Sequence, residues 1–195
     1  MLFLLTGEKQ TGKTRWLERV IEGLEQEGVC VAGVLAPGVW REFPDGTREK
    51  QGIDNLLLPH HTLIPFGRRA DLARAEDGFA RESQSARAGL GWIFPDSALD
   101  AVNAHCASLH DACVSGGFLV IDELGPLELL RDGGLIEAMR LLEAGSTTAF
   151  PHALAIVRES LLPAAHERFD EVWAGAVREI FPQDCSENEI ISLYK

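Results

Sequence analysis

An α/β domain with a mostly parallel sheet and an antiparallel hairpin extension is predicted by three observations. The apolar run Leu2-Phe3-Leu4-Leu5 leads directly into Gly7-Glu8-Lys9-Gln10-Thr11-Gly12-Lys13-Thr14, a complete GxxxxGK[ST] pattern, and a helical stripe follows. A strand that ends in a glycine-rich loop and opens a helix is how a parallel β-α unit begins. A second apolar run, Phe118-Leu119-Val120-Ile121, ends in Asp122-Glu123, as a buried parallel strand does when it delivers carboxylates at its C-terminal edge. Between and beyond these runs, short apolar stretches alternate with segments of helical period.

The first helix carries Trp16, Leu17, Val20, Ile21 and Leu24 on one face and stops at Gly28. Val29 to Leu35 is β-rich and reads as the second buried strand. Val39 to Phe43 and Gly52 to Leu58 flank Pro44-Asp45-Gly46, which predicts a hairpin turning at Asp45-Gly46 and extending the sheet on one side. From His60 to Leu90 the pattern fails; Arg68, Arg69, Arg74, Arg81 and Arg87 punctuate a charged, alanine-rich segment. Two readings stand for it: a mobile flap whose arginines approach a phosphate, or a solvated loop with a short surface helix. Ser97 with Asp100 three residues on forms a capping-box pattern before a helix carrying Leu99, Val102, Cys106 and Leu109, which ends near Gly116-Gly117. After the Asp122 strand come a helix with Leu135, Ile136, Met139 and Leu142, a strand from Ala153 to Val157 ending at Arg158, a helix over 159–168, a strand over 176–181 and a C-terminal helix after Pro182. No internal repeat is visible.

The chain has 195 residues, the size of a single domain over 1–195 with room for a substantial core. Its formal charge of −12 argues against a nucleic-acid or anionic-membrane surface, since both need a basic footprint. The apolar start is short, lacks a basic flank and runs into the glycine-rich loop, so a signal peptide is not expected; no run is long enough for a bilayer span. A cytoplasmic location follows as the expectation. Cys30, Cys106, Cys113 and Cys185 have no C-x-x-C spacing and read as thiols, not as disulfides or a zinc site.

The loop's chemistry is specific. Backbone N–H groups over Gly7, Glu8, Lys9, Gln10, Thr11 and Gly12, with the positive end of the helix, suit a polyphosphate. Lys13 is then placed to reach the β and γ phosphates, and the Thr14 hydroxyl to hold Mg²⁺. Asp122 is the expected second Mg²⁺ residue, directly or through water. Glu123 beside it suits proton acceptance from, or orientation of, an attacking water. Arg158, after the strand expected beside that of Asp122, reads either as a γ-phosphate contact supplied in cis or as half of a sheet-edge salt bridge. His60-His61 lack a third ligand at suitable spacing. Among Trp16, Trp40, Trp92 and Trp173, packing competes with base stacking, and Trp40 and Trp92 are the candidates for stacking.

The segment Val120-Ile121-Asp122-Glu123-Leu124-Gly125-Pro126-Leu127-Glu128-Leu129, with the loop and the hairpin region, resembles the small nucleoside-triphosphatases first described from thermophiles, called cancer-related nucleoside-triphosphatases in animals. Their second motif runs DEIGxMEL, against DELGPLEL here. Looser likeness covers Gly33-Val34, Gly52-Ile53, Gly89-Leu90-Gly91 and Val157-Arg158-Glu159. The resemblance implies a three-layer P-loop NTPase fold related to RecA, and slow Mg²⁺-dependent hydrolysis of several nucleoside triphosphates, ATP and GTP among them, to diphosphate and phosphate. Trp92 and Phe94, and the loop interior Glu8-Lys9-Gln10, depart from the family pattern, so the base and the physiological substrate stay open. Glu128 either positions the loop around the site or caps a helix. Two further function classes remain: a nucleoside or nucleotide kinase, and an accessory ATPase acting on a protein partner, for instance in metallocofactor assembly.

Overall fold

A computed structural model describes residues 1–8, 11–73, 83–84, 91–110, 115–182 and 186–195. In chain order its elements are β1 (Leu2–Leu5), α1 (Lys13–Gln26), β2 (Val31–Leu35), β3 (Gly38–Glu42), β4 (Arg48–Leu58), β5 (Thr62–Arg69), α2 (Ala70–Ala73), β6 (Trp92–Ile93), α3 (Asp96–His110), β7 (Phe118–Leu124), α4 (Pro126–Arg131), α5 (Ile136–Glu143), β8 (His152–Val157), a 3₁₀ turn (Glu159–Leu161), α6 (Leu162–Phe169), β9 (Val177–Ile180) and α7 (Ser186–Ser192). Among the described residues the strands form one sheet in the order β6-β5-β4-β2-β7-β8-β1-β9, with β3 pairing β4 beside this path.

The sheet has two halves of different kind. From β2 through β7, β8 and β1 to β9 every neighbour is parallel. From β2 outward through β4, β5 and β6 every pairing is antiparallel, as is that of β3 with β4. β1, β2, β7 and β8 are apolar because helices cover both of their faces, whereas the edge strand β9 exposes Arg178 and Glu179. Period-two alternation sorts their side chains: Leu2, Leu4, Ala32, Val34, Leu119 and Ile121 enter the core beneath α3, α5 and α6. Phe3, Leu5, Val31, Phe118, Val120, Leu154 and Ile156 enter the core beneath α1 and α7. The result is a three-layer α/β fold, with the stripe Trp16, Leu17, Val20, Ile21 and Leu24 of α1 buried as its spacing predicts. Gly33 lets β2 lie against β7: its φ is +120°, and a Cβ there would stand 2.0 Å from the Val120 carbonyl oxygen.

Three expectations are corrected. The segment that begins at His60 is not patternless, because β5 returns along β4 over 62–69 and closes a second hairpin. Pro65 and the pair Arg68-Arg69 hide this strand in the sequence; an antiparallel strand that buries Phe66 on one side but leaves other positions half-buried or exposed tolerates both. His60 and His61 form its turn, and His61 Nε2 lies 3.0 Å from Glu25 Oε1. The flap reading for Arg74, Arg81 and Arg87 lies outside the described residues. Helix α3 starts at Asp96, with the Pro95 carbonyl accepting from Ala98 and Leu99, so Ser97 sits inside the first turn and is not its cap. Finally, β4 begins at Arg48 instead of Gly52, and the short helix α4 follows β7 at once, with Pro126 at its first position.

Of the cysteines, Cys106 is buried and free, its thiol pushed up to about 12 by burial, and Cys30 is a half-buried free thiol. Cys113 and Cys185 lie outside the described residues.

Candidate functional site

The C-terminal edge of β1, β7 and β8 is where the sequence motifs converge. Gly7 and Gly12 turn the loop after β1 with φ of +124° and +87°, and Gly12 stands at the N-terminus of α1 in the left-handed region that favours glycine. Thr11 Oγ1 donates to the Glu8 carbonyl at 2.9 Å and holds the loop's curve. Lys9 and Gln10 lie outside the described residues. The Lys13 ammonium folds back over the loop and donates to the carbonyls of Gly7 at 2.9 Å and Glu8 at 2.6 Å. Its pKa is lowered by burial, with Glu123 and Asp122 opposing that shift. Lys13, Asp122, Glu123 and Arg158 therefore share one electrostatic environment.

Asp122 is 4% exposed and anchored. Its Oδ2 accepts the Ala36 backbone N–H from the end of β2 at 2.9 Å, and the Thr14 hydroxyl lies near the same carboxylate from α1. Burial pushes this carboxyl up to about 7; the Ala36 bond, the nearby Thr14 hydroxyl and the charge of Lys50 pull the other way. A carboxylate and a hydroxyl that line one cleft form a hard oxygen pair. That is the share a protein contributes to Mg²⁺ when phosphates and water complete the shell, so the residues fit the ion.

Glu123 leaves the regular strand. Its φ is +72°, and the β7–β8 register breaks between Ile121 and Leu124. A non-glycine residue in the left-handed region costs on the order of 1–3 kcal/mol and persists only where its surroundings impose it. Here Arg158, at the end of β8, holds the carboxylate: Nη2 lies 2.5 Å and Nε 3.3 Å from Glu123 Oε1. The salt-bridge reading of Arg158 thus describes this state of the site, and the pair faces the loop lysine.

Glu128 acts on backbone. Its Oε2 accepts the Gly125 N–H at 2.9 Å, which caps α4, and its Oε1 accepts the Leu135 N–H at 3.1 Å, which ties the segment before α5 to the strand end. Both expected roles, cap and loop anchor, fall to one buried carboxylate, whose pKa burial raises. Gly134 is required beside it, since a Cβ there would stand 1.9 Å from Glu128 Oε1.

A cleft of about 1130 Å³ joins these groups to the antiparallel half. One wall is Gly7, Gly12, Lys13 and Thr14; the opposite wall is Trp40, Arg48 and Lys50 of the hairpin with Trp92 of β6. Arg48 lies 5.8 Å from the Trp40 ring centroid and Lys50 5.4 Å from that of Trp92. Trp40 is 40% exposed toward solvent and the cleft, whereas Trp16 and Trp173 are core residues. Sequence reasoning misses Arg48, Lys50 and the Ala36 N–H. The available signal for Lys50 is that it is one of four lysines in an acidic chain; Ala36 contributes backbone and carries no side-chain signal.

The fold matches the solution structure of a human cancer-related nucleoside triphosphatase with a TM-score of 0.61. The match covers 98% of this chain and 93% of that one at 22% identity. Neither a family model nor a curated protein matches the chain. The likeness read from DELGPLEL and the likeness in three dimensions lead to the same kind of protein, and at this identity the second is a likeness of fold. Among the described residues, no helix is long and apolar enough to cross a membrane.

Proposed function

We propose that this chain is a Mg²⁺-dependent nucleoside-triphosphatase that converts a nucleoside triphosphate and water to diphosphate, phosphate and a proton. One observation carries the reading: Lys13, Thr14, Asp122, Glu123 and Arg158 come from three separated segments to one cleft at the C-terminal edge of the parallel strands. The human protein of like fold is named a nucleoside triphosphatase, which agrees with it.

Each group has a chemical part. The loop N–H groups and the N-terminus of α1 bind the phosphate oxygens, and Lys13 exchanges its bonds to the Gly7 and Glu8 carbonyls for bonds to the β and γ phosphates. Thr14 and Asp122 would hold Mg²⁺, which would neutralise charge on the phosphoryl oxygens. Glu123 orients the attacking water and accepts its proton. The pair with Arg158 fixes that carboxylate and leaves a guanidinium beside the charge that develops on the γ-phosphoryl group. The hairpin wall offers Trp40 to the base and Lys50 and Arg48 to the phosphates.

The test is phosphate release across ATP, GTP, CTP and UTP, over a Mg²⁺ titration, with nucleosides present and absent. Release without acceptor, dependent on Mg²⁺ and lost in Lys13→Ala, is the expected result. Appearance of label from the γ-phosphate on an added nucleoside, with little free phosphate, makes the protein a kinase instead. Turnover that rises by orders of magnitude only with a protein partner makes it an accessory ATPase.

A further inference from the structure

Behind the carboxylate pair a second, smaller pocket of about 90 Å³ opens from the same edge. Phe66, Trp92, Phe94, Leu99 and Leu127 supply an apolar, largely aromatic lining, and Phe66 and Phe94 lie 4.8 Å apart between ring centroids. Asp122, Glu123 and Arg158 border both this pocket and the cleft.

Among the described residues, most polar side chains of the pocket have partners within the protein. Glu128 is occupied by the N–H groups of Gly125 and Leu135, Asp122 by that of Ala36, and Glu123 by Arg158. Asn55 differs. It projects from β4, is only 2% exposed, and its Nδ2 is buried without a hydrogen-bond partner. A buried amide donor left unpaired keeps its full desolvation penalty, so a group that accepts from it is favoured there. Water alone is a poor occupant. The volume holds several molecules, at roughly 10–15 Å³ of such space each, but among the described residues much of the lining is apolar and aromatic, and the polar groups at its mouth are already engaged with one another. Waters so poorly bonded are displaced with gain by an apolar ring. The volume is of the order of the ~150 Å³ cavity that admits benzene, which limits the enclosed part of a ligand to a single ring. With Glu123 neutralised by Arg158, the carboxyl groups of Asp122 and Glu128 in the lining leave, among the described residues, no free cation there for an anion to pair with.

We infer that this pocket binds a small neutral ligand, a single aromatic ring carrying a carbonyl, with the ring against Phe66, Trp92 and Phe94 and the carbonyl accepting from Asn55 Nδ2. Aromatic lining with one convergent polar group is the usual make-up of a small-molecule site. Because Glu123 and Arg158 form part of its wall, occupancy changes the rate of phosphate release. That consequence rests on the hydrolase reading; the binding itself does not.

Benzamide serves as the probe, with toluene as the ring lacking a carbonyl and cyclohexanecarboxamide as the carbonyl lacking an aromatic ring. Binding is measured by calorimetry and ligand-observed NMR on the full chain without nucleotide. Benzamide is expected to bind more tightly than either control. Asn55→Leu should weaken benzamide about ten-fold while leaving toluene within about two-fold. Leu127→Phe, which fills the pocket, should remove binding of both, and Asn55→Ala replaces Asn55→Leu if the latter does not fold. In the parent, benzamide at saturation should change the rate of phosphate release at saturating triphosphate. Equal affinity for benzamide and toluene, unchanged benzamide affinity in Asn55→Leu, or no binding at tens of millimolar overturns the site. Binding with no phosphate release under any condition upholds the pocket and removes the hydrolase reading; release with no probe binding does the reverse.

Discussion

The two halves of the sheet bear on the same cleft and are built by opposite rules. The parallel half, apart from its edge strand β9, is buried on both faces and carries the loop, the carboxylates and Arg158 at strand ends, where helices on either side hold the backbone rigid. The antiparallel half, β3 to β6, is mostly half-buried or exposed and presents Trp40, Arg48, Lys50 and Trp92 on strand surfaces. Placement of reacting atoms needs the first kind of support; contact with the rest of a substrate tolerates the second. Chemistry and stability should therefore concentrate in one half, and substrate preference in the other.

The largest effect should come from the parallel half. Glu123→Gln keeps the shape and the Arg158 contact but not the base, so turnover should fall by about two to four orders of magnitude while Mg²⁺-nucleotide affinity stays within a few-fold. Single-turnover rates with calorimetric affinity check this, and near-normal hydrolysis would remove Glu123 from its role. Lys13→Ala should lose both turnover and affinity.

Stability should divide along the same line. Leu154→Ala empties a fully buried position between β7 and β1 and should cost about 2–5 kcal/mol in denaturant unfolding. Leu63→Ala on β5, at a side chain 56% exposed, should stay within about 0.5 kcal/mol. Equal costs would show that the hairpin half is no less a part of the core.

Asp122 sharpens the comparison through pH. In the nucleotide- and metal-free protein its carboxyl titrates at about 7, raised by burial from the ordinary 3.8. Between those values the folded state holds a proton that the unfolded chain has lost, so stability decreases as pH rises through this window and is lowest above it. Asp122→Asn removes the dependence. Its gain in melting temperature over the parent should be small at pH 5 and larger at pH 8, even as Mg²⁺-dependent turnover is lost. A gain independent of pH would refute the assignment.

The smallest effect belongs to the hairpin. Trp40→Ala should raise KM about five- to ten-fold, by an amount that differs among bases, with little change in kcat or stability. A loss of kcat instead would mean that the antiparallel wall takes part in the chemistry.

How much of this is legible beforehand follows the same division. Parallel strands and their helices advertise themselves, because double burial demands continuous apolar runs and 3.6-residue stripes: Leu2 to Leu5, Phe118 to Ile121 and the α1 stripe all stand where they are expected. β5 does not, because a strand that is only partly buried accepts Pro65 and two arginines and so loses its pattern. The Ser97 pattern misleads because Pro95 and Asp96 start α3 before the serine is reached.

By itself the sequence determined the alternation of strand and helix, the phosphate-type loop and the acidic end of β7, since each depends on residues adjacent in the chain. Only the tertiary structure decided which distant groups meet. The Ala36 N–H on Asp122, Arg158 on Glu123, Lys50 across the cleft from Lys13 and the unpaired Asn55 depend on the register of β2, β4 and β8 against their neighbours. Register is selected by the summed packing of whole strands, and a shift of one residue would turn every one of these side chains to the other face.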